Sequence, residues 1–261
     1  MKITTWNVNS IRTRRQRALA WLASHEPDVL ALQETKVEDA VFPEDDFANL
    51  GYHVARHGQK TYNGVALLTR SPCSEVRTAL PHDPEPAEAR MISARVRDLT
   101  VIDVYVPNGK HITSDKFAYK MDWLTRLLEH LEAHHKPSDP LVLLGDFNIT
   151  PDDRDVYDPV AWRGKVHCHP VERAMLQRFF DWGLTDLLRH KTDEEGIYSW
   201  WDYRGGGFPR NKGLRIDLIL GTAPLLDRVL SVDVDRDERG EDAGEGKPSD
   251  HAPVTLTLAD G

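Results

Sequence analysis

Hydrophobic and polar positions divide the chain into short apolar runs and longer stretches with helical spacing. Lys2 to Val8 is rich in β-formers, and Ser10 is a plausible N-cap for a helix to about His25, with Leu19, Leu22 and Ala23 on one face. Asp28 to Gln33 predicts a short buried strand. Tyr52 to Arg56, Gly64 to Arg70, Met91 to Arg97 and Leu99 to Val106 predict four more, separated by turns bearing Pro and Gly. Ser114 opens the clearest helix, in which Phe117, Met121, Leu124, Leu128 and Leu131 recur every three or four residues and read as core. Leu141 to Leu144 is an aliphatic run that stops at Gly145-Asp146. A further helix, Val171 to Trp182, ends at Gly183, and Leu214 to Leu220 and Val254 to Leu258 are late strands. Several consecutive strands lack an intervening helix, so a mixed sheet or a pair of sheets fits better than a doubly wound one. Two long Gly-rich stretches, Asp202 to Gly213 and Asp235 to Gly246, are the loop candidates; such loops are usually functional or disordered.

Composition narrows the class but not the partner. The 261 residues, 40% of them hydrophobic, suffice for one large core, so residues 1–261 read as a single domain. No stretch approaches the ~20 apolar residues of a membrane span, and the N-terminus enters a strand pattern with no signal-peptide core. Cys73 and Cys168 lie far apart and read as reduced thiols of a cytoplasmic protein. The net charge of −9 argues, alone, against nucleic acid. Its charges are segregated, however: acids gather at residues 152–155 and 233–245, while Arg12, Arg14, Arg15 and Arg17 crowd one segment. Arg204, Arg210, Lys212 and Arg215 share another without an acid among them. The plainer reading of each run is a solvated face.

Candidate chemistry follows a recurring pattern in which an apolar strand ends at a carboxylate or amide. Asn7 and Asn9 follow Ile3 to Trp6, Glu34 follows Val29 to Leu32, and Asp146 and Asn148 follow Leu141 to Leu144. Asp217 lies within Leu214 to Leu220, and Asp250-His251 precede Val254. Any one acid would serve equally to cap a turn; five such placements suggest rigid platforms for catalytic groups. Glu34, helped by Asn7 and Asn9, offers the hard oxygen ligands that suit Mg²⁺, with Mn²⁺ as the alternative. Asp146 and Asn148 would orient and deprotonate water. A cationic His251, held by Asp217, would neutralise a phosphate oxygen.

These residues sit in blocks that closely resemble the exonuclease III family of the endonuclease/exonuclease/phosphatase superfamily. The blocks are Thr5-Trp6-Asn7-Val8-Asn9-Ser10-Ile11-Arg12, Leu32-Gln33-Glu34-Thr35-Lys36, Asn63-Gly64-Val65-Ala66, Tyr105-Val106-Pro107-Asn108, Gly145-Asp146-Phe147-Asn148, Gly213-Leu214-Arg215-Ile216-Asp217 and Ser249-Asp250-His251-Ala252-Pro253. They run in family order over residues 1–258. The resemblance implies a four-layered α/β sandwich, two packed mixed sheets flanked by helices. It further implies Glu34 as principal metal ligand with Asn7 nearby, and Asp250 as a ligand in some states. Asp146 would activate water beside Asn148, Tyr105 and Asn108 would contact phosphate, and Asp217 would orient His251.

The superfamily also includes inositol-phosphate phosphatases and sphingomyelinases, so the flanking segments must choose the substrate. Trp200-Trp201-Asp202-Tyr203-Arg204 resembles the family's aromatic block near the DNA end. Trp200, with Leu214 and Ile216, would form an apolar pocket, and Trp201 would fill the core. Arg12, Arg204 and Lys212, with the rest of the basic loop to Arg215, would clamp phosphates without reading sequence. His167 stands where abasic-site endonucleases of the family more usually carry a small residue. The implied activity is Mg²⁺-dependent cleavage of double-stranded DNA at 3′ ends, nicks or abasic sites, biased by His167 towards 3′→5′ exonuclease and 3′-phosphatase work. The alternatives are a predominantly abasic-site endonuclease, a lipid or inositol phosphoesterase, and a non-catalytic binder of nicked DNA. A monomer and no membrane partner are the default expectations.

Overall fold

The computed structural model describes residues 1–259. Its strands in chain order are β1 (Lys2–Asn7), β2 (Val29–Gln33), β3 (His53–His57), β4 (Val65–Thr69), β5 (Cys73–Arg77), β6 (Met91–Val96) and β7 (Leu99–Tyr105). They continue with β8 (Leu141–Asp146), β9 (Leu184–Asp186), β10 (Trp200–Trp201), β11 (Gly213–Leu214), β12 (Asp217–Thr222), β13 (Val229–Val234) and β14 (Val254–Leu258). Helices α1 (Ile11–His25), α2 (Glu44–Asn49), α3 (Asp115–His134), α4 (Pro159–Trp162), α5 (Pro170–Trp182) and α6 (Leu187–Lys191) lie between them. Two six-stranded sheets result, ordered β13-β14-β1-β2-β4-β3 and β5-β6-β7-β8-β12-β9. Both are mixed: β1·β2 and β7·β8 pair parallel, and the remaining pairs are antiparallel. Each parallel pair needs a crossover, which α1 and α3 supply.

Period-two alternation decides which residues enter the space between the sheets. Ile3, Val29, Ala31, Val65 and Leu67 of the first sheet pack against Ile92, Ala94, Val101, Val142, Leu144 and Ile219 of the second. The intervening positions turn outward. Trp6, Leu30, Leu32 and Ala66 meet Ile11, Ala18, Trp21 and Leu22 of α1. Val104, Leu143 and Leu220 meet Trp123, Leu124, Leu128 and Leu131 of α3 and Phe179 of α5. The expected four-layered sandwich is therefore present, and each fully buried aliphatic stabilises it by about 1.5–3 kcal/mol. The same alternation carries Thr5, Asn7, Gln33, Asp103, Tyr105, Asp146 and Asp217 to the inter-sheet side.

Several local expectations need correction. Ser10 precedes α1 as expected but makes no side-chain cap, its φ being 91°. Of the face expected on α1, Leu22 is buried and Leu19 half-buried, but Ala23 is exposed, and the buried face also includes Arg14 and Arg17. Arg17 donates to Glu238 and to the carbonyls of Gly240, Gly244 and Gly246, so the Asp235–Gly246 stretch is a tie-down for α1. Arg14 donates to the Asn9 and Pro248 carbonyls and to Tyr203 Oη. The run from Leu214 to Leu220 is two strands, β11 and β12, split at Arg215-Ile216. Arg215 is buried and pairs with Asp155 and Asp186 at 2.6 and 2.7 Å, so it clamps the fold and not a substrate. No helix of the described residues is long and apolar enough to cross a membrane.

Candidate active site

The site forms at one rim of the inter-sheet space, where strand register brings the polar ends together. In the second sheet Asp146 lies opposite Tyr105 on β7 and opposite Asp217 on β12. In the first sheet Asn7 lies opposite Gln33, and Glu34 follows at once. Gly145 permits this packing: its φ is +135°, and a Cβ there would stand 2.0 Å from the Val104 carbonyl oxygen. Glu34, Asn148 and His167 adopt φ of 53°, 51° and 75°. Non-glycine residues in that region cost on the order of 1–3 kcal/mol each and concentrate at functional sites.

Asn7 joins the two sheets. Its Nδ2 donates to Glu34 Oε1 at 2.8 Å and to Asp146 Oδ2 at 2.9 Å, while its Oδ1 accepts from the Asn9 amide at 3.0 Å. Asn7 was expected as a metal ligand. In this structure its nitrogen faces the two carboxylates and its oxygen accepts from the Asn9 amide, so it also spaces the two acids. Asn9 donates to Asp250 and accepts from Lys36, which also pairs with Glu34 at 2.7 Å. Asp250 is held by Asn9 at 2.9 Å and Trp200 Nε1 at 3.0 Å, apart from the other acids. These contacts and the His251 charge outweigh burial and keep its carboxyl below the usual range.

Among the described residues, one group of three offers ligand atoms within 4.8 Å of one another: Glu34, Asp146 and His251. The chemistry of the set separates its members. His251 Nδ1 lies 2.8 and 3.1 Å from the Asp217 carboxylate, and its Nε2 is 3.9 Å from Asp146. Burial opposes a charge on His251, but Asp217, helped by Asp146 and Asp250, raises its pKa to about 10. A protonated ring is no ligand. Glu34 and Asp146 remain, two hard carboxylates with ligand atoms within 4.8 Å of each other, which fits Mg²⁺ or Mn²⁺. Burial, against His251 but with Asp217 and Glu34, raises Asp146 to about 7.

Asn148 lies against Asp146: its amide nitrogens reach Asp146 Oδ1 and Oδ2 at 2.9 and 3.2 Å, and its Oδ1 accepts from Asn108 at 3.1 Å. Burial and the neighbouring Glu34 and Asp146 charges push the Tyr105 hydroxyl well above its ordinary pKa, so it stays protonated beside Glu34. Three contributors escaped the sequence reading. Ser199 Oγ donates to Asp217 at 2.6 Å, and Arg90 lies over the Tyr105 ring at 4.9 Å. Lys120, fully buried on α3, donates to the Asn148 carbonyl at 2.7 Å and pairs with Glu172. Only Lys120 left a signal, a lysine beside Phe117 and Leu124 on the apolar stripe.

The outer wall is aromatic. The His167 ring lies 6.2 Å from Trp162 and 6.4 Å from Trp200, above a groove of about 330 Å³ that also touches Asn108 and Lys110. His167 Nδ1 donates to the Asn148 carbonyl at 2.6 Å, leaving Nε2 as an acceptor near Asn108. Burial and the Lys120 charge lower its pKa to about 3, so it is neutral. Trp201 is core, as expected. Leu214 and Ile216, expected to line the pocket, are 0% and 2% exposed and instead back the wall beneath Trp162 and Trp200. Arg12, Arg204, Arg210 and Lys212 are exposed, whereas Arg15 pairs with Asp46.

Two sheets that pool acids, amides and a charged imidazole at one rim define a phosphoesterase-like architecture. The chain belongs to the Endonuclease/Exonuclease/phosphatase family, whose sequence profile matches residues 4–251. It is 40% identical to exodeoxyribonuclease III of Haemophilus influenzae, over 97% of this chain and 98% of that protein. Among solved structures it is similar to the 3′-5′ exonuclease NExo from Neisseria meningitidis, with 44% identity, a TM-score of 0.94 and full coverage of both chains. It is also similar to an AP endonuclease from Archaeoglobus fulgidus, with 38% identity, a TM-score of 0.93 and full coverage of both.

Proposed function

We propose that this chain is a divalent-metal-assisted DNA phosphodiesterase of the exonuclease III type, acting as one unit on duplex DNA at 3′ ends, nicks and abasic sites. The observation that carries the reading is the juxtaposition of the Asn7-bridged acids Glu34 and Asp146 with the Asp217–His251 pair. When bound between the carboxylates, Mg²⁺ or Mn²⁺ would polarise a phosphate oxygen and relieve its charge. Asp146 takes a proton from water as the water oxygen attacks phosphorus and the P–O3′ bond breaks, and the departing O3′ takes up a proton from solvent to become the 3′-hydroxyl. The raised pKa of Asp146 suits a base working near neutrality. His251 neutralises a non-bridging oxygen, the Asn108 amide and the Tyr105 hydroxyl donate to the same phosphate, and Asn148 fixes the Asp146 carboxylate that activates the water. Arg12, Arg204 and Lys212 hold the duplex backbone. A monomer in the cytoplasm fits this work.

Within that class we favour 3′-end processing over incision of internal abasic sites. His167, with Trp162 and Trp200, narrows the space an extruded sugar would enter. Its neutral ring presents an acceptor, so the effect on a 3′ phosphate is steric and not a charge contact. Relatives named as a 3′ phosphatase and a 3′-5′ exonuclease support this preference. A 3′-recessed, end-labelled duplex is shortened with Mg²⁺ and spared in EDTA on this reading. Shortening that survives EDTA overturns the metal assignment, and none at all favours a non-catalytic binder. His167→Gly, which also relaxes a positive φ, is expected to gain incision at an internal abasic site. Efficient incision by the unaltered protein would refute the 3′-end preference.

A further inference from the structure

A second cluster of ligating side chains lies outside the active site, at the C-terminal end of α3. Three of the chain's twelve histidines, His130, His134 and His135, fall within six residues. His130 and His134 are four apart and share a helix face. The ring centroids of His130 and His134 are 4.8 Å apart, and those of His130 and His135 are 5.8 Å apart. His130 is 1% exposed. Its Nε2 and that of His135 are buried without a hydrogen-bond partner. A buried polar atom left unpaired is destabilising, so an orphaned imidazole nitrogen needs a reason. A shallow cavity of about 510 Å³ opens beside the cluster, lined by His130, His134, Arg77 and the residues from Thr78 to Pro81.

We propose that His130, His134 and His135 form a second metal site, selective for a borderline transition ion such as Zn²⁺ and separate from the hard-ion site at Glu34 and Asp146. Imidazole nitrogen is the donor such ions prefer over Mg²⁺. Burial and the neighbouring imidazoles keep His130 neutral, the ligating form. Burial, His134 and Arg77 lower the His135 pKa, and the Asp139 and Glu75 charges partly offset them. The three do not have their ligand atoms within 4.8 Å of one another, so binding requires side-chain rotation, for which the exposed His134 has room. His130 is ten residues from Lys120, about 15 Å along the helix axis. An ion here would therefore brace the far end of α3 without touching the catalytic groups.

The test counts bound Zn²⁺ on the full, untagged chain by equilibrium dialysis, in a Glu34→Gln background that weakens the first site. One equivalent is expected in Glu34→Gln and none in Glu34→Gln/His134→Ala. Because His134 is exposed, its loss leaves the fold intact, and His135→Ala provides an independent second variant. Zn²⁺ is expected to raise the Tm of the Glu34→Gln protein and not that of the double variants. His134→Ala alone retains nuclease activity. Equal zinc stoichiometry with and without His134 and His135, or no zinc bound in the Glu34→Gln background, overturns the proposal.

Discussion

Replacing Asp217 by asparagine isolates the charge that holds His251 protonated. The side chain keeps its shape and can still accept from Ser199, but the carboxylate is gone. The rise of His251 from 6.5 to about 10, against burial, corresponds to about 5 kcal/mol, and Asp217 is the largest favourable contribution. Losing one adjacent opposite charge shifts a pKa by roughly 1–3, so His251 in the variant titrates between about 7 and 9. Above that range the phosphate loses its cation, a loss comparable to removing an oxyanion-hole donor, about 10²–10³-fold in rate. The sign is definite: the basic limb of the activity profile moves to lower pH, and the deficit grows as pH rises. Stability follows the same sense. A raised histidine pKa contributes stability fully present below 6.5 and lost as pH climbs through about 10. The assay is single-turnover cleavage of a 3′-end-labelled duplex over the alkaline range at fixed Mg²⁺. A rate loss with an unmoved basic limb would falsify the cation role of His251.

Three further outcomes are expected. Arg215→Met leaves Asp186 buried without a guanidinium and Asp155 with Arg189 alone, and should cost about 3 kcal/mol in urea denaturation; DNA affinity falling while stability holds would restore Arg215 to the phosphate clamp. His130 and His167 are held neutral with pKa values near 4 and 3, corresponding to roughly 3 and 5 kcal/mol. Stability should therefore fall as pH drops from 6.5 towards 4, and less steeply in His130→Gln; identical slopes would refute the assignment. Lys120→Met should lower kcat with KM little changed, because the lysine sets the Asn148 carbonyl and touches no substrate; a change in KM alone would place it at the DNA.

What was legible in the sequence was the part governed by alternation. Uninterrupted apolar runs at Val29 to Leu32 and Leu141 to Leu144 announced buried strands, and the acids at their ends became the site. Burial of arginines was illegible, because Arg14, Arg17 and Arg215 are solvated or buried according to partners tens or hundreds of residues away. The edge strand β5, Cys73-Ser74-Glu75-Val76-Arg77, faces solvent along nearly its whole length and so carries no apolar pattern to read. The direction of the Asn7 amide was equally hidden. Spacing brings Asn7 to the acids, but only the Asn9 amide on its oxygen decides that nitrogen faces them.

The insertion of β14 between β13 and β1 has a consequence for how the protein is made. Asn7 and Glu34 leave the ribosome early, while His251 and β14 come after every other described strand. Until β14 has docked beside β1, the first sheet lacks an interior strand and His251 has no fixed place near Asp217. A nascent chain thus carries the acids without the assembled reaction centre. On the proposed mechanism, cleavage would wait until β14 has been made and docked, so the order of folding would act as a safety catch.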